Sequence, residues 1–312
     1  MILSVTLNPS VDQTLFVESL EVGDTNRIQE VQTDVGGKGL NLSRVAAELD
    51  ANSVATGFLG GTTEGYIRRV LVEEGIQCDF VHIEGETRTN ISVEQKNGGP
   101  PTTLNAKGPI ISAQQWEILL TTFARLAPDA DWVAICGSMP PGIPVDGYAQ
   151  LVKIAKEAGT KVLLDADGEA MKLGLEAKPD LIKPNTKEAG RLLGRAILTE
   201  AEAEAGTLEL HQMLGPDSTV VLSMGGDGAI MSCPDGLFRG ISPKVTVLST
   251  VGSGDSMLGA ILAMRLRNLS WEESFAFGLA AGAATATTDG SGIANRTVIE
   301  LLLKETQIRR IS

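Results

Sequence analysis

Through most of its length the chain alternates short β-branched runs with amphipathic stretches about twice as long. The short runs fall at 2–7, 53–57, 132–136, 161–164, 180–182 and 219–223. Helical spacing of apolar residues marks 40–49, 64–74, 113–126, 144–158 and 187–193 between them. A strand followed by a helix and another strand returns parallel to itself, so this rhythm predicts a mostly parallel sheet covered by helices on both faces. Ligands of such sheets sit beyond the carboxyl ends of the strands. Polar residues at those ends are therefore the first place to look for chemistry.

Two stretches break the rhythm. Residues 11–33 hold the strand-like runs 14–17 and 27–31, and residues 88–105 hold 89–94, with no helical pattern between. They predict either a small β-sheet lid over the strand ends or two surface excursions of the main sheet. The segment 199–210, rich in Glu and Ala, reads as a solvated helix face. Residues 244–247 read as one more strand, followed by a glycine-dense turn and two helical stretches, 255–267 and 271–287. The second of these is rich in Gly and Ala, which suits close helix packing and ligand contact equally.

Composition removes several function classes. A net charge of −13 disfavours nucleic acid and anionic membrane as partners, so an anionic substrate must be met by a few local cations. Aromatic residues are only 4% of the chain, too few for stacked-ring platforms. Cys78, Cys136 and Cys233 are widely spaced and odd in number, as reduced thiols of a cytoplasmic protein would be. The opening run 1–7 lacks a basic flank and reads as a buried strand, and no apolar run is long enough to span a membrane.

The strongest local signal is Thr250-Val251-Gly252-Ser253-Gly254-Asp255. Glycines just before a helix let consecutive backbone N–H groups converge, and the helix N-terminus adds partial positive charge. That makes an anion hole for a transferring phosphoryl group, with Asp255 placed to take a proton from an attacking hydroxyl. The lesser alternative for Asp255 is an N-cap, with the glycines merely a turn. A second signal, Gly36-Gly37-Lys38-Gly39-Leu40-Asn41, opens a helix and is not a Walker A loop, since no GxxxxGK[ST] occurs. Gly37 allows close backbone approach, Asn41 offers donor and acceptor to hydroxyls, and Lys38 is either a phosphate-binding cation or a solvated surface lysine. Asp12, Ser138, Asp165, Lys183, Asn185, Glu188, Ser223, Gly225 and Gly228 recur at the same end of successive strands, where each alone could be turn chemistry. Arg88 and Arg27, one in each irregular stretch, could clamp a phosphate or simply be solvated. His82 and His211 fit no metal or triad spacing.

The two glycine motifs, about 210 residues apart and in this order, resemble the paired signatures of the ribokinase-like, or PfkB, family of sugar kinases. The resemblance runs end to end. It implies one ribokinase-like domain over 1–312: a three-layer α/β/α sandwich with a mostly parallel central sheet and a small β-sheet lid from about 11–33 and 88–105. Thr6-Leu7-Asn8-Pro9-Ser10-Val11-Asp12, Thr87-Arg88, the run from Gly137 to Gly142 and Lys183-Pro184-Asn185 are similar to the branch acting on phosphorylated ketohexoses. That branch holds 1-phosphofructokinase, tagatose-6-phosphate kinase and the minor 6-phosphofructokinase. It implies Asp255 as base with the Gly252, Ser253 and Gly254 anion hole. Asp12, Gly37, Lys38, Asn41, Arg88, Asn90 and Ser138 would hold the sugar phosphate, with Arg27 assisting. Lys183, Asn185, Ser223, Gly225 and Gly228 would contact ATP, Leu279 and Ala283 would wall the adenine, and Glu188 and Asp165 would organise Mg²⁺ mostly through water. The resemblance also implies a homodimer paired through the lid. Fructose 1-phosphate is the expected substrate, with tagatose 6-phosphate or fructose 6-phosphate as the alternatives. A non-catalytic sensor would lack the base or the anion hole, and a kinase for a neutral sugar has no use for Lys38, Arg88 and Arg27.

Overall fold

A computed structural model describes residues 1–99 and 101–311; Pro100, within the expected lid range, and Ser312 lie outside the described residues. The strands in chain order are β1 Ile2–Thr6, β2 Ser10–Val17, β3 Glu30–Gly36, β4 Ser53–Gly60, β5 Gln77–Cys78, β6 Val81–Ile83, β7 Arg88–Gln95 and β8 Thr102–Leu104. They continue with β9 Trp132–Cys136, β10 Lys161–Asp165, β11 Leu181–Ile182, β12 Thr219–Ser223, β13 Ala229–Cys233, β14 Gly236–Ile241 and β15 Gln307–Arg310. The helices are α1 Lys38–Glu48, α2 Glu64–Glu73, α3 Ala113–Leu126, α4 Gly147–Glu157, α5 Gly168–Glu176, α6 Thr186–Leu193, α7 Glu200–Leu214, α8 Ser253–Leu266, α9 Trp271–Thr285 and α10 Arg296–Leu303.

The large sheet runs β15-β14-β13-β12-β11-β10-β9-β1-β4-β5, with β6 also on β4. It is parallel from β12 to β5 and antiparallel across β12, β13, β14 and β15. Side chains alternate along each strand, and this alternation divides the core in two. Leu3, Val5, Val133 and Ile135 join α3, α4 and α7 on one face. Ile2, Trp132, Ala134 and Cys136 join α1, α8, α9 and α10 on the other. This is the expected three-layer sandwich.

Helix starts follow local chemistry. Ser112 with Gln115, Asn185 with Glu188, Thr199 with Glu202 and Ser270 with Glu273 each close a capping box, satisfying N–H groups that a helix end leaves bare. Helix α8 differs: every residue from Asp255 to Met264 is buried. A helix apolar all round belongs in a core. Fully burying Leu258, Ile261 and Leu262 contributes about 1.5–3 kcal/mol each.

The irregular stretches form a separate four-stranded sheet, β3-β2-β7-β8, rather than excursions of the main one. In it β2 pairs antiparallel with β3 and parallel with β7. Three expectations need correction. The second strand starts at Glu30, so Arg27 stands in the connection before it. Residues 244–247 are no strand, because β15 already occupies the free edge of β14 and leaves them nothing to pair with. Segment 199–210 is not merely a solvated face, since α7 buries Ala203, Gly206, Thr207, Leu210 and Leu214. The hairpin of β13 and β14 and strand β15 had no expectation at all. All three cysteines are unpaired, and no helix among the described residues is long and apolar enough to cross a membrane.

Candidate active site

The carboxyl ends of β1, β9, β11 and β12, the first turns of α1 and α8, and the inner end of the small sheet enclose one cavity of about 670 Å³. At its centre is the start of α8. Gly252 is the N-cap, in the left-handed conformation at φ 77°, and no side chain caps the helix. A residue with a Cβ is strained there. The Gly254 and Asp255 N–H groups therefore remain available to an anion, while that of Ser253 makes only a long 3.4 Å hydrogen bond to the Thr250 carbonyl. Asp255 is not the N-cap: it lies in the first turn, and its Oδ2 accepts a 3.0 Å hydrogen bond from Asn41 Nδ2. Burial, reinforced by the charge of Asp165, raises the Asp255 pKa to about 6, against the opposing pull of Lys38, Asn41 and Lys183. A carboxylate so placed is ionised near neutrality and more basic than an ordinary aspartate, as a general base should be.

Two lysines neutralise this corner. Lys38 Nζ lies 3.2 Å from Asp165 Oδ2. Burial works against the Lys38 charge, but Asp165, Asp255 and Glu188 outweigh it and raise its pKa above the ordinary lysine value. A Cβ built on Gly254 would fall 2.9 Å from Lys183 Nζ, which puts the buried Lys183 ammonium against the α8 turn. Asp165 is itself buried, and although burial opposes it, Lys183 and Lys38 keep its pKa below the usual value.

The far end of the cavity is polar. Asp12 Oδ1 accepts from Ser10 Oγ at 2.7 Å and Asn90 Nδ2 at 2.8 Å, and its Oδ2 accepts from Ser291 Oγ at 3.1 Å. Arg88 donates from Nε and Nη2 to the carbonyl of Asn8 and from Nη1 to that of Ala106, leaving one hydrogen on each terminal nitrogen. On the opposite side Asn185 caps α6, and Glu188 Oε2 closes the capping box by accepting from Asn185 N at 2.9 Å. Leu279 and Ala283 of α9 line the cavity, while Ala280, Ala281 and Ala284 sit in the core, so the small-residue stripe serves packing and cavity alike.

The structure thus brings together Asp12, Gly37, Lys38, Asn41, Arg88, Asn90 and Ser138 with Gly252, Ser253, Gly254 and Asp255. It adds Lys183, Asn185, Glu188, Ser223, Gly225, Leu279 and Ala283 on the other side. Three expected residues do not line it. Arg27 is exposed in the connection before β3. Gly228 closes the turn into β13, with its N–H on Gly225 O. Asp165 sits behind Lys38. Sequence reasoning missed Asn8 and Thr6 as lining residues, and the apolar Pro243 together with Val245 and Val247 of the segment expected to be a strand. The position of Asn8 just past β1 was a usable signal; for the 244–247 segment only the sheet edge shows that it is free to line a cavity.

The model of the pfkB family carbohydrate kinases matches residues 5–298. The 1-phosphofructokinase of Bacillus subtilis (strain 168) is 36% identical over 311 residues, covering 100% of both chains. The crystal structure of Escherichia coli phosphofructokinase-2 in complex with potassium superposes with a TM-score of 0.90 at 27% identity, covering 97% of this chain and 98% of that one. Arabidopsis thaliana ribokinase complexed with ribose and ATP superposes with a TM-score of 0.75 at 22% identity over 97% and 98%, a likeness of fold. With both glycine turns facing one cavity, the match over nearly the whole length identifies the chain as a member of the pfkB family of carbohydrate kinases.

Proposed function

We propose that this kinase transfers the γ-phosphoryl group of ATP to fructose 1-phosphate, giving fructose 1,6-bisphosphate and ADP. The observation that carries the reading is the polarity of one cavity: Arg88 lines its sugar end, Asp255 with an uncapped helix turn lines its transfer end, and Lys38, paired with Asp165, lines it beside Asp255. The similarity to a 1-phosphofructokinase over both whole chains supports the substrate choice. The free hydroxyl gives its proton to Asp255 as its oxygen attacks the γ-phosphorus, and the bond to ADP breaks on the far side. The amides of Gly252, Ser253 and Gly254, with the Lys183 ammonium beside them, take up the charge of the moving group. Asn41 keeps the Asp255 carboxylate aimed.

Asp12, Gly37, Asn41, Asn90 and Ser138 bind the sugar, with Arg88 on its phosphate and Lys38, reaching from beside Asp165, as the second cation for it. Lys183, Asn185, Ser223 and Gly225 face the nucleotide, with Leu279 and Ala283 against the adenine. Glu188 keeps Oε1 free of its capping box, and it lines the cavity, so it fits Mg²⁺ held mostly through water. When bound, Mg²⁺ neutralises the phosphate oxygens. We read 1–312 as one kinase domain and the small sheet as its lid. Ile28, Val31 and Leu104, exposed on that sheet and its connection, support pairing of two lids in a homodimer. That pairing is also the arrangement in which Arg27 could still meet a phosphate.

A coupled ADP-release assay with fructose 1-phosphate, fructose 6-phosphate and tagatose 6-phosphate tests the reading. It expects the highest kcat/KM with fructose 1-phosphate. A tenfold preference for either alternative overturns the substrate, and no turnover of any of the three overturns the phosphosugar kinase itself.

A further inference from the structure

Asn8 stands just past β1, 5% exposed, at the wall of the cavity. Its Nδ2 donates to the carbonyl of Lys107 at 3.0 Å and to Ser138 Oγ at 3.2 Å. The Lys107 carbonyl can only accept, which fixes the orientation of the amide: nitrogen faces Ser138 and oxygen faces away. Ser138 therefore receives a hydrogen bond from Asn8, and its own O–H must find another acceptor. No other partner for that hydroxyl is made among the described residues, and Ser138 lines the cavity.

The main chain of Asn8 performs a second task. Its carbonyl accepts from Arg88 Nε at 3.2 Å and from Nη2 at 2.9 Å, while Arg88 Nη1 reaches Ala106 O at 2.9 Å. Side chain and main chain of one residue thus tie the end of β1, the start of β7 and the loop at 106–108 into one clasp. Turned over, the carboxamide would set its oxygen against the Lys107 carbonyl. Its Oδ1 occupies the space where a Cβ on Gly108 would fall, 2.2 Å away, and Gly108 has φ +89°.

We propose that Asn8 is a positioning residue for the anionic end of the substrate, a phosphomonoester of a ketohexose. It turns the Ser138 hydroxyl hydrogen toward the phosphate and holds Arg88 so that its two remaining N–H groups face the same ligand. This rests on the phosphosugar reading of the cavity.

The test compares wild type, Asn8→Ala and Asn8→Asp in the ADP-release assay, with thermal melting of each as the control for folding. Asn8→Ala should raise KM for fructose 1-phosphate about tenfold to a hundredfold, the effect of losing an ordered donor to a charged group. The expected kcat and KM for ATP stay within about twofold, since the transfer end is untouched. Asn8→Asp keeps the shape but can only accept, so Ser138 must donate to it and turn away from the phosphate. Its KM should rise at least as far. Adding Ser138→Ala to Asn8→Ala should cost little more than either change alone, because both remove one interaction. Unchanged KM in a folded Asn8→Asp variant overturns the proposal, as do equal shifts in KM for ATP or full additivity with Ser138→Ala. Wild-type turnover in the same assay upholds the kinase reading, so these outcomes bear on Asn8 alone.

Discussion

The two ends of the cavity are built in opposite ways. The transfer end stands on α8, buried from Asp255 to Met264 and packed against α1 and α9. The sugar end stands partly on the small sheet, where every residue of β7 is only half-buried and every residue of β8 is exposed. One end is held by apolar packing, the other by hydrogen bonds such as those converging on Asp12. Precision is needed at the transfer end and mobility at the sugar end. Transition-state charge must be met by groups that do not move, whereas a substrate has to enter and leave. Elements with few buried contacts open at low cost.

The comparison can be broken most sharply at Asp255. Asp255→Asn keeps the shape and the place beside Asn41 but cannot take a proton, so kcat should fall by about 10²–10⁴. Titration calorimetry should find fructose 1-phosphate bound nearly as before. Near-normal turnover would remove Asp255 as the base.

Stability separates the two ends next. Leu258→Ala deletes a fully buried side chain of α8 and should lower unfolding stability by about 2–5 kcal/mol. Leu104→Ala on β8, 60% exposed in the monomer, should stay within about 0.5 kcal/mol in dilute denaturant melts. Comparable losses at both sites would contradict the contrast drawn between a packed and a loosely held end.

A smaller effect concerns pH. Asp255 acts as base only when ionised, so kcat/KM should rise with pH through about 6 and level off above it. Lys38 pulls the Asp255 pKa down. Lys38→Ala should therefore move this limb to higher pH, which a limb due to the substrate's own phosphate would not do. A limb that stays in place assigns it elsewhere.

Much of the packed end was legible in the sequence. Strands 132–136 and 219–223 and helix 113–126 have the bounds their residue patterns predict, because β-branched runs and the Ser112–Gln115 capping box are local signals. Both glycine turns were readable for the same reason. What was not legible depends on partners far away in the chain. Residues 244–247 have strand composition but no free edge, and Arg27 reads as a strand residue although pairing with β2 begins at Glu30. Asn8 looked like turn chemistry until Lys107 and Ser138 were brought beside it. Asp165 sits at a strand end as expected, but only the fold shows Lys38 standing between it and the cavity wall.

The most direct test of a cavity with a phosphate-binding end and a transfer end is the ratio of kcat/KM for fructose 1-phosphate to that for fructose. It should be measured in wild type and in Lys38→Ala/Arg88→Ala. The wild-type ratio should be large, and the double variant should reduce it by about a hundredfold or more, since each charge-assisted contact contributes about 1.5–3 kcal/mol. Equal use of fructose and fructose 1-phosphate by the wild type, or an unchanged ratio in the folded double variant, would contradict the account.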